Sequence, residues 1–346
     1  MTATRTGLGW PERAPAPLPP GSGGLGWPEH DVSRETEPSA AAPAGVPSEP
    51  RGSGPVSRET PAAGRVAAGT AVDAPSAVRY PLPTRRRVIA VANQKGGVGK
   101  TTSAVNLAAA LALGGAQVLC IDLDPQGNAS TALSVEHREG TPSVYDALIG
   151  RRTLDEVVAV TPVPGLYCAP ATIDLAGAEI ELVPMVARET RLERAIAALD
   201  HPFDYVVIDC PPALGLLTVN ALVAAREILI PIQCEYYALE GLGQLMRNVE
   251  LIRSHLNAEL TISAILLTMY DARTRLAEQV VAEVREHFGE RVLASMVPRS
   301  VRIAEAPGFG QTVLTYDAGS RGAQAYRDAA RELAARGAPG PEGEQA

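Results

Sequence analysis

The chain has 346 residues, a formal net charge of −8, and 46% hydrophobic residues, with aromatics only 4% of the whole. That length admits one large domain or two small ones, with a core built from aliphatics and alanine, and the mild acidity excludes a surface coated with basic charge while leaving room for a local basic patch. No apolar run approaches the roughly 18 residues of a membrane span, and the N-terminus lacks the apolar stretch of a secretory signal, so the chain is expected to stay in the cytoplasm.

Residues 1–84 differ from the rest: they hold 15 of the 29 prolines and no lysine. No hydrophobic period persists there, and such a segment cannot bury enough apolar surface to offset its conformational entropy. The expectation is a disordered tail over 1–84, an ordered domain over 85–336 and a short disordered tail over 337–346. Within the first tail GLGWPE occurs at 7–12 and 24–29, and VSRET at 32–36 and 56–60.

From Arg85 the pattern changes. RRRVIAVANQ contains the short apolar run of a buried parallel strand. A glycine loop follows, then TTSAVNLAAALALGG, helical in propensity and stopped by Gly114 and Gly115. QVLCIDLD and DYVVIDCPP (204–212) are apolar strands ending in acids. EILIPIQ (227–233), LTISAILLTMY (260–270) and VLASMVP (292–298) read as further strands, and helices are expected near 216–226, 239–256, 274–288 and 320–336. This alternation implies an α/β fold of the P-loop NTPase kind, a mainly parallel twisted sheet with helices on both faces. Ligands in such sheets sit at the carboxyl ends of the strands, where all the acids fall.

The loop reads KGGVGKTT. The usual phosphate-loop pattern is GxxxxGK[ST]. Gly99-Lys100-Thr101 supplies its end, but Gln94 replaces the first glycine and Lys95 follows as a second lysine. Gly96, Gly97 and Gly99, with Val98 between, let backbone N–H groups curl around phosphate oxygens, and the following helix points its positive end at them. Lys100 is expected to reach the β and γ phosphates, Thr101 to place its hydroxyl on Mg²⁺, and Thr102 to lie near the α phosphate. Asp122, Asp124 and Asp209, each at or just past the end of an apolar strand, read together as a metal–phosphate site. Asp209 would hold Mg²⁺ through water, since magnesium keeps several waters, and Asp122 would stand in its outer shell.

KGGVGKTT resembles the deviant Walker A motif of the ParA/MinD ATPases. The resemblance covers about 86–336 and is closest to the chromosomal ParA/Soj group through LDPQGNAS, IDCPPALGLLTVNAL, PIQCEYYALEGL, LTMYDARTRL and VPRSVRIAEAPGFGQTVLTYDAGSRGAQAYRDAARE. It implies that Lys95 reaches across a homodimer interface to the partner's ATP, and that Asp124 orients the attacking water. It further implies that the ATP-bound dimer binds double-stranded DNA without sequence preference. ParB, the centromere-binding protein, then stimulates hydrolysis and release. Arg273 and Arg302 match positions implicated in DNA contact, with Arg275 and Arg299 weaker candidates, and Pro298-Arg299 lie near the adenine in this family.

Rival branches fit less well. The MinD branch ends in an amphipathic membrane-targeting helix, whereas ARGAPGPEGEQA is polar, proline-broken and acidic. The nitrogenase iron-protein branch needs paired cluster cysteines. Cys168 and Cys210 stand in unlike surroundings, and the four cysteines show neither CxxC spacing nor histidines to complete a zinc set. A plasmid-type ParA would need an ordered helix-turn-helix domain ahead of the loop. Asp124 and Lys95 weigh against a scaffold that senses ATP without hydrolysing it. Chromosomal partition systems use a palindromic site, parS, close to GTTTCACGTGAAAC, which read in frame encodes Val-Ser-Arg-Glu-Thr. The two VSRET repeats therefore raise the expectation that the gene carries two ParB-binding sites in its own coding sequence. Other synonymous codons at both repeats would rule that out.

Overall fold

The computed structural model describes residues 79–236 and 240–337. The expected tails, with the GLGWPE and VSRET repeats, fall outside these residues except for 79–84 and Gly337. Eight strands form one sheet: β1 (Arg87–Val91), β2 (Val118–Asp122), β3 (Ala159–Val160), β4 (Leu166–Ala169), β5 (Tyr205–Asp209), β6 (Glu227–Gln233), β7 (Thr261–Tyr270) and β8 (Val292–Pro298). Their order is β3-β4-β2-β5-β1-β6-β7-β8. Every pairing is parallel except the edge pair β3–β4.

The central strands have no polar face because both faces are covered. All five residues of β1, of β2 and of β5 are buried. In β1 the period of two sends Val88 and Ala90 into one apolar core and Ile89 and Val91 into the other. The second core is closed by the helix Lys100–Leu113 and the helix Arg321–Arg336. Lys100–Leu113 is buried on all sides from Ser103 to Ala112, which explains why it is written in alanine and leucine. Its end at Gly114 is fixed by packing, because a Cβ there would run into the Tyr80 ring.

The expected strands 227–233 and 292–298 have those bounds in the structure, and the four expected helices appear as Leu216–Ala224, Glu240–His255, Arg275–Phe288 and Arg321–Arg336. Sequence patterning showed nothing of β3, β4 or the short helices Asn128–Ala132, Val144–Ile149, Leu175–Leu182, Arg191–Ala197, Val301–Glu305 and Val313–Tyr316. Register does the work of assembling the site. Val91 lies opposite Asp209 and Asp209 opposite Asp122, so three strand ends meet at one edge of the sheet.

Candidate nucleotide-binding site

The loop leaving β1 turns through Gly97 and Gly99 at φ +74° and +87°, a left-handed conformation that side chains strain to adopt. A Cβ on Gly96 or Gly97 would meet nothing within 4 Å, so the concave side of the loop has room for phosphate oxygens. The helix begins at Lys100 with no side-chain cap, which leaves its first-turn N–H groups free for an anion.

Two residues that the sequence did not reveal pin this loop. Asn93 donates to the Pro231 carbonyl at 2.8 Å and accepts from the Lys95 N–H at 3.0 Å. Thr268, on β7, donates to the Val98 carbonyl at 2.8 Å. Lys100 is buried and its Nζ bends back to the Lys95 carbonyl at 3.0 Å. Burial lowers its pKa, against the opposing pull of Asp209, Cys210 and Asp124. Thr101 and Thr102 are half-buried in the first turn, and the Thr102 carbonyl accepts from Asn106 at 2.7 Å. Lys95 is 31% exposed and forms an ion pair with Glu235, which follows β6. Lys95 and Lys100 are the only lysines in the chain.

The three acids differ sharply in what surrounds them. Asp209 is fully buried, and neither carboxylate oxygen has a hydrogen-bond donor among the described residues. Burial, then Asp122 and Asp124, push its pKa well up; the Thr101 hydroxyl and Lys100 pull the other way. The Thr101 hydroxyl is thus near Asp209 without making a well-aligned bond to it. Asp122 is equally buried but satisfied. It accepts from the Ser130 N–H at 2.8 Å, the Ser130 hydroxyl at 2.7 Å and the Asp124 N–H at 3.3 Å. Burial still raises it, to about 6. Asp124 is buried, and its Oδ1 accepts from the Gln126 N–H at 3.0 Å. The turn beyond it passes through Gly127 at φ +65°, where a Cβ would lie 2.7 Å from the His137 ring.

A buried carboxylate with two orphaned oxygens is costly unless a cation completes it. Asp209, beside Thr101 and Lys100, fits a hydrated Mg²⁺. No group of three or more His, Cys, Asp or Glu among the described residues could hold a metal by itself. A cation here would complete its shell with phosphate oxygens and water, which suits magnesium. All four cysteines are free and buried, and burial raises the Cys210 thiol well above its ordinary value.

The remaining expected residues lie beyond the same carboxyl edge. Pro298 ends β8, and the Arg299 N–H donates to the Tyr270 carbonyl at 3.1 Å. Arg273 is 88% exposed and clamps Asp271 through two hydrogen bonds of 2.9 and 2.7 Å, which pull that carboxyl down to about 2. Arg302 is exposed and reaches Glu305 at 3.3 Å and Asp317 at 3.5 Å. Arg275 opens its helix, exposed, with no ion-pair partner among the described residues. Arg273 and Arg302, two of the four arginines expected at the DNA surface, are therefore paired with carboxylates of their own chain.

A family model for an AAA domain matches residues 86–262. The sporulation initiation inhibitor protein Soj of Bacillus subtilis is 52% identical over 251 residues, 72% of this chain and 99% of that protein. The chromosome partitioning protein ParA of Caulobacter vibrioides is 50% identical over 252 residues, 72% of this chain and 94% of that one. Among solved structures, cobyrinic acid a,c-diamide synthase from Mycobacterium smegmatis, with bound ADP and magnesium, superposes with a TM-score of 0.63 at 40% identity. It covers 71% of this chain, which spans 92% of that one.

Proposed function

The chain belongs to the ParA/Soj family of chromosome-partitioning ATPases, and on that premise we propose how its site drives partition. The loop 95–102 holds ATP: Gly96, Gly97, Val98 and Gly99 through backbone N–H groups, Lys100 on the β and γ phosphates, Thr102 near the α phosphate. Pro298 and Arg299 flank the adenine. Thr101 and, through water, Asp209 hold Mg²⁺, with Asp122 behind them in the outer shell anchoring the Asp124 turn through Ser130. Magnesium supplies neutralisation of phosphate charge. Asp124 orients the attacking water. The observation that carries this reading is the buried, donorless carboxylate of Asp209 beside an uncapped helix start.

Lys95 reaches the nucleotide of a second copy, so that MgATP drives a sandwich homodimer and a cation arrives where charge develops on the transferred phosphoryl group. In the ATP-free protomer Glu235 holds Lys95, and dimerisation exchanges that carboxylate for phosphate. The dimer binds double-stranded DNA of any sequence through Arg273, Arg275 and Arg302, of which Arg273 and Arg302 trade their own carboxylates for backbone phosphates. ParB stimulates an otherwise slow hydrolysis and so releases DNA. Cycles of binding and release move or anchor the chromosome origin in the cytoplasm, on the nucleoid. No helix among the described residues is long and apolar enough to cross a membrane.

Two variants test the scheme by sedimentation with MgATP. Lys95→Ala binds nucleotide but stays monomeric; ATP-dependent dimers in this variant would contradict the cross-subunit role. Asp124→Ala accumulates a DNA-bound dimer, and full hydrolysis by that variant would reject Asp124 as the water-positioning group.

A further inference from the structure

A cavity lies at the other end of the sheet from the phosphate loop. It measures about 710 Å³ and is lined by Arg85, Arg86, Arg87, Arg226 and Arg336. These belong to the start of β1, the start of β6 and the end of the last helix, whereas the phosphate loop leaves β1 at its far end, about 16 Å along the strand. Two glutamates, Glu227 and Glu259, also line it, so five guanidinium groups stand against two carboxylates.

The pairing shows which charges are spent. Arg87 clamps Glu227 through two bonds of 2.7 Å, and Arg226 meets Glu259 at 3.1 Å. Arg86 donates only to neutral carbonyls, those of Ile196, His201 and Phe203. Arg336 does likewise, to Ser263, Arg291 and Val292. Carbonyls satisfy N–H donors without cancelling the charge. Arg85 is exposed and has no ion-pair partner among the described residues. The negative end of the last helix offsets roughly half a charge at Arg336. An excess of more than two positive charges therefore faces a concave space of small-molecule size, for which typical sites span ~300–1,000 Å³.

Anchoring the ends of the fold explains the carbonyl bonds of Arg86 and Arg336. It does not explain Arg85, nor why an acidic protein gathers uncancelled cations around a cavity. Guanidinium groups suit phosphate through paired, planar donors, and Arg85 and the free nitrogens of Arg226 offer such donors. We propose that this cavity is a second anion site, separate from the phosphate loop, which takes a small molecule bearing two or more phosphate groups.

The test is calorimetric titration of inorganic tripolyphosphate into the full chain and three variants. Lys100→Ala removes the phosphate-loop lysine, and one binding event remains. Arg85→Glu and Arg226→Gln keep the phosphate-loop event and weaken the second by about tenfold each, the order expected when one charge-assisted contact is lost. Unaltered basal ATP hydrolysis in the last two shows that they fold. No binding to Lys100→Ala, or an unchanged second event in Arg85→Glu, overturns the proposal. So does binding of a DNA duplex, but not tripolyphosphate, with the same dependence on Arg85 and Arg226, because the cavity would then belong to a DNA surface. Neither result bears on the phosphate loop, which the first event reports separately.

Discussion

Asp209→Asn separates function from stability. In the ATP-free chain, burial and the neighbouring charges of Asp122 and Asp124 outweigh the help that Asp209 receives from Thr101 and Lys100, so its ionised form is held at a cost. Both oxygens lack donors. Leaving a buried polar group unpaired costs about 1–3 kcal/mol, more when charged. The asparagine removes the charge but brings an amide that also needs partners, so a net gain of about 1–2 kcal/mol is expected. For a domain of this size that raises Tm by about 2–8 °C. The assay is thermal unfolding in EDTA, then with MgADP. The parent chain gains about 2.7 kcal/mol at a ligand concentration one hundred times Kd. The variant starts higher and loses most of the magnesium-dependent part of that gain. A variant less stable than the parent in EDTA, or one that keeps the full magnesium-dependent increment, would refute the reasoning.

Three further outcomes follow from the same geometry. In metal-free buffer the folded-state pKa of Asp122, about 6 against an ordinary 3.8, makes the protonated fold the favoured one; stability falls as pH rises from about 4 to 6 and levels off above, by on the order of 3 kcal/mol. Denaturant midpoints across that range check it, and a rise with pH, corrected for other carboxyls by an Asp122→Asn control, contradicts it. Because the chain has only two lysines, an acylating reagent reads the loop directly: Glu235→Gln frees Lys95 from a one-third-exposed pair, worth about 0.2–1 kcal/mol, and raises its labelling rate about 1.4- to 5-fold. An unchanged rate by mass spectrometry means that the pair restrains nothing. Arg302→Glu places a third carboxylate beside Glu305 and Asp317, weakens DNA binding at least tenfold and leaves MgATP dimers intact; unchanged affinity removes Arg302 from the DNA surface.

The sheet was legible where strands are buried on both faces. EILIPIQ carries an unbroken, buried apolar run from Ile228 to Ile232; VLASMVP, an edge strand only partly buried and interrupted at Ser295, was legible from its remaining apolar residues. The stretch from 125 to 203 was not, because its helices are at most eight residues long and β3 has two residues, too short for a period to repeat. The phosphate loop was legible because its chemistry is local, all within eight residues. Its supports were not. Thr268 holds Val98 across 170 positions and Glu235 meets Lys95 across 140, contacts that only the β1–β6–β7 pairing creates. Nor could the sequence show that Asp317 is a partner of Arg302, because it reaches Arg302 only through the fold, whereas Asp271 and Glu305 lie two and three residues from the arginines they pair with.

The most direct test of the partition cycle is binding of the full chain to a non-specific DNA fragment with MgATP, with MgADP and without nucleotide, across a salt series. Tight binding with MgATP alone, falling steeply as salt rises, is the result the two-lysine switch and the arginine surface together require. Equal binding in all three states, or none in any, would contradict it.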